Sequence, residues 1–244
     1  MYRKVDNRQE FLNKVKEQLP INPVCLEIGV YEGIFAKMMY NTLQPSKLFL
    51  IDPFDDVKIT KVTKETTYVK QNNHKIVYST SKQLMEVENL LKEGLMNGRV
   101  SIDKNLSTDT TDNYTENQFD FIYVDACHLY ECVKWDMENY LPKLKPGGLM
   151  GGHDYGDNSF GVTQAVDEFC EKYGYEIQLL CTYQGDWLLT PKKGVVQPIQ
   201  VIEEEPIETT IEDTDEVIEE EIIMEEEEIL PEDLDDIEED DETF

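Results

Sequence analysis

Residues 119–155 read FDFIYVDACHLYECVKWDMENYLPKLKPGGLMGGHDY, and this stretch decides the fold of the chain. FDFIYV joins aromatic and β-branched residues without a polar alternation, which is typical of a strand buried on both faces. From Tyr130 onward apolar residues recur every three or four positions, which predicts a helix. Its apolar face would carry Val133, Met137, Leu141 and Leu144. Pro146-Gly147-Gly148 then predicts a turn, and the apolar pair that follows predicts a second strand.

Polar side chains follow each of these two strands. Asp125 and His128 come after the first strand, and His153 and Asp154 come after the second. Parallel strands joined by a crossover helix carry these loops at one sheet edge, where open α/β sheets bind ligands. Carboxylates and imidazoles there can hold a divalent cation, and a histidine can accept a proton near neutral pH. Structural hydrogen bonds are the alternative, but the shared position at strand ends favours a functional site.

The rest of the chain alternates short apolar runs with helical patterns. Helices are predicted at 6–19, 34–40, 81–95 and 161–173, and strands at 24–28, 48–51, 99–102, 175–183 and 187–190. Only Gln184-Gly185-Asp186 separates the last two strands, so they must be antiparallel neighbours. The order predicts an α/β fold with a mostly parallel sheet that ends in an antiparallel strand.

Charge divides the chain into two parts. The net charge is −30, and residues 195–244 hold 24 of the 52 acidic residues and no Lys or Arg. Residues 1–194 carry the other 28 acids against 22 bases, which suits one mildly acidic domain. The acidic tail is predicted to be disordered, with an interaction arm for a basic partner as the alternative. Such a charge argues against nucleic-acid binding, because phosphates are repelled.

Compartment signals are sparse. The first ten residues are polar and lack the apolar region of a signal peptide, and no apolar run reaches the roughly 20 residues of a membrane span. The five cysteines show no CxxC pair, which predicts reduced thiols in a cytoplasmic protein with no membrane contact.

The first two strands also end on informative residues. Glu27 precedes Gly29 and Gly33 in the pattern ExGxxxG, which differs from the GxGxxG of dinucleotide sites. Glu27 would repel a phosphate but can accept hydrogen bonds from an ammonium group. Asp52 ends the next strand, where an acid can hold both ribose hydroxyls. A tight strand–helix turn and a turn aspartate before Pro53 are the alternatives, yet together the corners favour a nucleoside without phosphate.

These motifs carry a resemblance to a known family. CLEIGVYEGIF (25–35), FLIDPF (49–54), the stretch 119–155 and the closing hairpin resemble class I S-adenosylmethionine-dependent methyltransferases. The metal-dependent small-molecule O-methyltransferases, catechol-type and antibiotic-sugar-type, are the most similar group. The resemblance spans residues 20–191 except 55–78. It implies a Rossmann-like, seven-stranded sheet with helices on both faces, S-adenosylmethionine, Mg²⁺ or another divalent cation, and a hydroxyl acceptor on a small molecule or sugar.

The resemblance also implies a role for each matching residue. His128 falls at the general base, and Asp125, His153 and Asp154 fall at the metal ligands. The cofactor would be bound by Glu27, Gly29, Gly33, Asp52, Ser107 and Asp125, with Asp52 at the ribose and Ser107 near the adenine. One departure is Cys127, which stands where the family often has a second acid.

Two other function classes stay open. A dehydrogenase would use a similar sheet, but the chain lacks GxGxxG. A catalytically silent cofactor-binding scaffold, whose acidic tail binds a basic partner, is the main alternative. The segment 55–78, a candidate lining of the acceptor pocket, carries no pattern that identifies the acceptor.

Overall fold

The computed structural model describes residues 2–55, 80–157, 161–182 and 185–194, and they build a sheet covered by helices. The strands are β1 (Arg3–Val5), β2 (Val24–Ile28), β3 (Lys47–Ile51), β4 (Val100–Asp103), β5 (Phe119–Val124), β6 (Leu144–Gly152), β7 (Tyr175–Cys181) and β8 (Trp187–Pro191). The helices are α1 (Arg8–Lys16), α2 (Ile34–Leu43), α3 (Ser81–Leu90), α4 (Lys92–Met96), α5 (Ser107–Thr110), α6 (Tyr130–Tyr140) and α7 (Val162–Tyr173).

Strand order confirms the predicted fold class. The order is β1-β7-β8-β6-β5-β2-β3-β4, and only β8 runs antiparallel to its neighbours. Within the described ranges the sheet has eight strands rather than seven, because Arg3–Val5 pairs in parallel with β7 at the sheet edge. A strand of three residues is too short to produce a readable periodicity.

β5 lies in the middle of the core, as its apolar sequence predicted. All six of its residues are buried. Phe121 and Tyr123 pack into the cluster that includes residues of α1 and α2, whereas Phe119, Ile122 and Val124 pack into the cluster of α6 and α7. Burial on both faces explains why this strand shows no polar alternation.

The end of the crossover differs from the prediction. Helix α6 ends at Tyr140, a 3-10 turn covers residues 141–143, and β6 already begins at Leu144. The predicted turn at Pro146-Gly147-Gly148 lies inside β6 as a bulge, since Phe119 pairs with Leu144 but Phe121 pairs with Leu149. Proline lacks the N–H that a ladder needs and Gly147 has φ +79°, so these residues leave the ladder without ending the strand.

The site is positioned by the point at which the strand order reverses. From β2 the chain continues to β3 on one side, and from β5 it continues to β6 on the other. The crevice in which open α/β sheets bind ligands lies at such a switch point, at the carboxyl ends of β2 and β5.

Some predictions fall outside the described residues. They include the acidic tail 195–244 with its basic partner and nearly all of the segment 55–78. None of the described helices combines the length and the apolar character needed to cross a membrane.

A buried acid on α6 gives the fold a pH dependence. Asp136 is 2% exposed. Burial raises the pKa of its carboxyl to about 7, and a hydrogen bond with the Ser107 side chain opposes that rise. The unfolded chain titrates at the ordinary aspartate pKa of about 3.9, so the folded state binds the extra proton between these values. The free energy of unfolding therefore decreases as pH rises from about 4 to about 7.

The substitution Asp136→Asn should remove this decrease in the free energy of unfolding. Above pH 7 we expect the variant to exceed the wild type in unfolding free energy by up to about 4 kcal/mol, with a smaller difference near pH 4. Urea denaturation at both pH values measures it. Glu131→Gln, an exposed acid on the same helix, is the matched control. A gain that is equal at both pH values would argue against a protonated Asp136.

Candidate active site

The structure brings together the four polar residues that follow β5 and β6. The Nε2 atom of His128 lies 3.4 Å from Asp125 Oδ1 and 3.2 Å from Asp154 Oδ2. The Nδ1 atom of His153 lies 2.9 Å from Asp154 Oδ1 and 3.6 Å from Asp125 Oδ1. The parallel pairing of β5 and β6 produces this cluster, because it places both loops at one sheet edge.

Three of these residues have the spacing of a cation site. Ligand atoms of Asp125, His128 and Asp154 all lie within 4.8 Å of one another. This group contains His128, which was predicted to be the base, whereas the predicted ligand set contained His153. Two carboxylates and an imidazole suit a divalent cation such as Mg²⁺, Mn²⁺ or Zn²⁺. Asp125 and Asp154 therefore belong both to the predicted ligand set and to the group with the observed spacing.

Electrostatics in the cluster favour positive charge. Burial lowers the pKa of His128 and His153, but hydrogen bonds and charges from Asp125 and Asp154 outweigh it and raise both. The histidines in turn lower the pKa of Asp154, against the effect of its burial. The carboxylates thus attract a positive charge, which a proton or a metal ion can supply.

β8 fixes the orientation of the loop after β6. Trp187 Nε1 donates a hydrogen bond to the carbonyl of His153 at 3.1 Å. A Cβ atom on Gly152 would lie 2.4 Å from the Trp187 ring, so only glycine allows this packing. Asp154 has φ +61°, a left-handed conformation that aspartate tolerates better than most residues. The two ligand candidates in this loop are therefore held by a buried tryptophan.

Glu27 contributes a buried carboxylate beside this cluster. The residue is 1% exposed, and its Oε2 atom has no hydrogen-bond partner among the described residues. Burial and then the charge of Asp125 raise the pKa of Glu27 well above its usual value, while Arg8 lowers it. A buried polar atom without a partner is costly, and an arriving hydrogen-bond donor relieves that cost.

The two glycines of the loop after β2 are required by close packing. Gly29 has φ +87°, and a Cβ atom there would lie 2.2 Å from the carbonyl oxygen of Asp125. Gly33 has φ +75°, and its Cβ would lie 2.8 Å from Cγ2 of Val87 on α3. The glycines thus allow a tight turn and contact with neighbouring segments. Their contact with a cofactor stays a prediction.

Asp52 fastens the same loop to the end of β3. Its Oδ2 atom accepts the amides of Val30 and Tyr31, both at 2.9 Å, and its Oδ1 atom accepts the amide of Phe54 at 2.9 Å. Tyr31 and Phe54 both have positive φ, which is costly for bulky side chains. Asp52 therefore has the turn role that the sequence left open, and the predicted ribose contact stays a prediction.

Ser107 begins α5 and faces α6. Its side chain forms a hydrogen bond with the buried carboxyl of Asp136, and its carbonyl accepts the hydroxyl of Tyr140 at 2.9 Å. These bonds tie the loop after β4 to the crossover helix. The predicted contact of Ser107 with the adenine stays a prediction.

Sequence reasoning missed a buried network at the other side of Asp125. Arg8, on α1, donates from Nε to Asp186 Oδ1 at 2.9 Å and from Nη2 to the hydroxyl of Tyr123 at 2.7 Å. Nη2 also lies 3.5 Å from Asp125 Oδ2. Asp186 is fully buried, and its Oδ2 atom has no hydrogen-bond partner in the described chain. A basic residue in an amphipathic helix and an acid in a hairpin turn gave no local signal of this role.

Comparisons with known proteins agree with this fold. A family model described as a methyltransferase domain matches residues 26–155, slightly more than half of the chain. The O-methyltransferase NovP is similar in structure, with a TM-score of 0.57, 17% identity and coverage of 76% of this chain and 80% of NovP. A protein of Corynebacterium glutamicum has a TM-score of 0.54 and 14% identity, covering 77% of this chain and 82% of its own.

Two further proteins are similar to this chain, one in structure and one in sequence. An O-methyltransferase of Bacillus cereus, solved in complex with SAH, has a TM-score of 0.50 and 16% identity over 75% of this chain and 79% of its own. A stretch of 59 residues is 37% identical to the protein y4gI of Sinorhizobium fredii, over 23% of this chain. The chain covers 6% of the length of that relative.

The range matched by the family model begins in β2 and ends after β6, so it contains both halves of the crevice. At these low identities the solved structures show the fold, and the family model supplies the assignment. The chain therefore belongs to the methyltransferase domain family.

Proposed function

We propose that this protein transfers a methyl group from S-adenosylmethionine to a hydroxyl group of a small molecule or sugar, assisted by Mg²⁺ or another divalent cation. The observation that carries the proposal is the cluster of Asp125, His128, His153 and Asp154 at the switch point of the sheet. The cofactor supplies a methyl group on a positively charged sulfonium. The assignment to the methyltransferase domain family supports this donor.

The residues present fit such a cofactor. The orphaned Oε2 atom of Glu27 suits the ammonium group of a methionine moiety. Gly29 lets the loop after β2 pack against the backbone of Asp125, which fixes the position of that loop at the sheet edge. An acid in this position would repel a pyrophosphate, so a dinucleotide fits less well. The SAH bound to the Bacillus cereus O-methyltransferase is a ligand of the same chemical class.

The polar cluster fits metal-assisted deprotonation. Asp125 and Asp154 would hold the cation, which lowers the pKa of a hydroxyl bound to it. His128 would accept the proton, and His153 would complete the ligand set. Most of the acceleration would come from holding donor and acceptor in line. Because His128 Nε2 faces both carboxylates, the same nitrogen can be a ligand or a base but not both at once.

Compartment and partners follow from charge and thiols. All five cysteines are free, which supports a reducing compartment such as the cytoplasm. The net charge of −30 disfavours nucleic acid as the acceptor. A silent scaffold whose acidic tail binds a basic partner would bind the cofactor without any metal-stimulated transfer, so the experiments below distinguish it from the enzyme.

Calorimetry with S-adenosylhomocysteine, with and without Mg²⁺, tests the cofactor, and an acceptor screen tests transfer. Asp125→Asn should lower transfer by at least about 100-fold, because it removes a charge beside the cation. It should weaken S-adenosylhomocysteine binding much less, because the amide keeps the size and a hydrogen-bonding oxygen of the carboxylate at the predicted cofactor contact. Asp157→Asn, an exposed aspartate in the loop after β6, is the matched control. Full activity of the Asp125 variant in the presence of a chelator would falsify the metal role.

A pair of variants assigns the two histidines. If His153 is a ligand, His153→Ala should weaken Mn²⁺ binding at least about tenfold. His128→Ala should leave Mn²⁺ binding nearly unchanged while transfer falls about 10²–10⁴-fold, because only the base is lost. Electron paramagnetic resonance measures bound Mn²⁺ without requiring turnover. The reverse pattern would exchange the roles of the two residues.

A further inference from the structure

We propose that Cys127 and Cys132 form a redox-responsive modification site, at which a peroxide oxidant converts the two thiols to a disulfide. We call these two residues the loop dithiol. The modification goes beyond the proposed function, and only its effect on the metal site rests on that function. Neither the resemblance nor the comparisons assign a role to Cys132.

The loop dithiol joins the loop after β5 to the first turn of α6. Cys127 lies in the loop, and Cys132 is the third residue of the helix, which begins at Tyr130. The thiols of Cys127 and Cys132 form a hydrogen bond with each other, and the backbone of Leu129 forms a second bond with the Cys127 thiol. A disulfide holds its sulfur atoms about 2 Å apart, so the two thiols are already neighbours but must come closer to form it.

The Cys127 side chain does not belong to the cluster that could hold a cation. Among the described residues, the group with the spacing of a cation site contains Asp125, His128 and Asp154 and not Cys127. The family that the chain resembles often has an acid at this position. Here the position carries a thiol that bonds to the crossover helix, and a second thiol lies five residues later. This pairing of two thiols is the observation that carries the proposal.

Small oxidants reach the loop dithiol more readily than the other thiols. Cys127 and Cys132 are half-buried, whereas Cys25, Cys170 and Cys181 are buried. The oxidation of a thiol depends on its exposure to the oxidant. The exposure of the five thiols therefore favours selective reaction of the pair beside the site.

The reaction balances with hydrogen peroxide as the oxidant. Peroxide first oxidises one thiol to a sulfenic acid, its O–O bond breaks, and one water is released. The second thiol then attacks the sulfenic sulfur, the S–S bond forms, and the hydroxyl group leaves as a second water. A dithiol reductant such as dithiothreitol reverses the modification by thiol–disulfide exchange and is itself oxidised to a disulfide.

A disulfide in this loop should displace the residues of the metal site. The amide of Asp125 donates to the carbonyl of Ile28 at 2.8 Å, and the carbonyl of His128 accepts the amide of Gly161 at 2.9 Å. Cys127 lies between these two anchors, so a pull on its sulfur toward α6 acts on the backbone of both site residues. A misplacement of about 1 Å at a reacting centre can cost about 100-fold in rate. The disulfide should therefore weaken the site.

Peptide mapping of the full chain tests the modification. After treatment with hydrogen peroxide, we expect one intramolecular disulfide and the loss of two of the five thiols. Chymotrypsin cleaves after Tyr130 and thereby separates the two cysteines, so a pair of linked peptides identifies the bond. Cys132→Ser should form no such bond, whereas Cys170→Ser, on α7, is the matched control and should form it like the wild type. If Cys132→Ser does not fold, Cys127→Ser takes its place.

Electron paramagnetic resonance of Mn²⁺ tests the effect on the site without requiring an acceptor. The oxidised wild type should bind Mn²⁺ about 10–100-fold more weakly than the reduced protein, and dithiothreitol should restore the affinity. Cys132→Ser should keep its affinity within about twofold after the same treatment, because the disulfide and not the peroxide causes the loss.

Two results would overturn the inference. One is a peroxide-treated wild type without a bond between Cys127 and Cys132, which would leave the thiols as a structural pair. The other is a bond that forms and leaves Mn²⁺ binding unchanged. A reduced wild type that binds no Mn²⁺ overturns the proposed metal role and with it the effect of the disulfide on that role, whereas the peptide map still decides whether the loop dithiol is a modification site.

Discussion

The contact between the loops that follow β2 and β5 is the constraint on which the rest of the site depends. Parallel pairing of these strands brings Gly29 against the backbone of Asp125 and Ala126, where no side chain fits. The charges of Asp125 and Arg8 both act on the pKa of the buried Glu27 carboxyl, and Arg8 lies 3.5 Å from Asp125. A Cβ atom at position 29 would lie only 2.2 Å from the Asp125 carbonyl oxygen, which leaves no room for adjustment. The packing of the sheet at Gly29 therefore also fixes the backbone of Asp125 in the site.

Charge balance links the site to its surroundings. Asp125 uses Oδ1 toward the histidines and Oδ2 toward Arg8, so its orientation is set from both sides.

Asp52 accepts three backbone amides and thereby keeps Tyr31 and Phe54 in conformations that bulky residues seldom adopt. Such strain persists only where the surrounding bonds over-determine it, which is common beside binding sites.

Much of the fold was predictable from the sequence, because β2, β5 and α6 have strong periodic or apolar patterns and polar residues follow β3, β5 and β6. The sheet, the antiparallel hairpin and the meeting of the loops after β5 and β6 followed from these patterns. The edge strand β1 and the bulge in β6 did not follow from the sequence. A strand of three residues has no readable period, and Pro-Gly-Gly has the composition of a turn. The network of Arg8, Tyr123 and Asp186 was invisible because its members lie up to 178 positions apart. The choice between His128 and His153 depends on side-chain orientation, which spacing alone does not determine.

The short edge strand β1 has a consequence for how the chain tolerates change. β1 pairs with β7 through Val5, and α1 begins at Arg8 after the capping residue Asn7. Each residue of an α-helix turns the following side chains by about 100°. One residue inserted between Arg8 and Phe11 would therefore rotate the guanidinium away from Tyr123 and Asp186, whereas an insertion before the cap Asn7 leaves the phase of the helix unchanged. Length variation should be tolerated between Val5 and Asn7 and excluded from the first turn of α1.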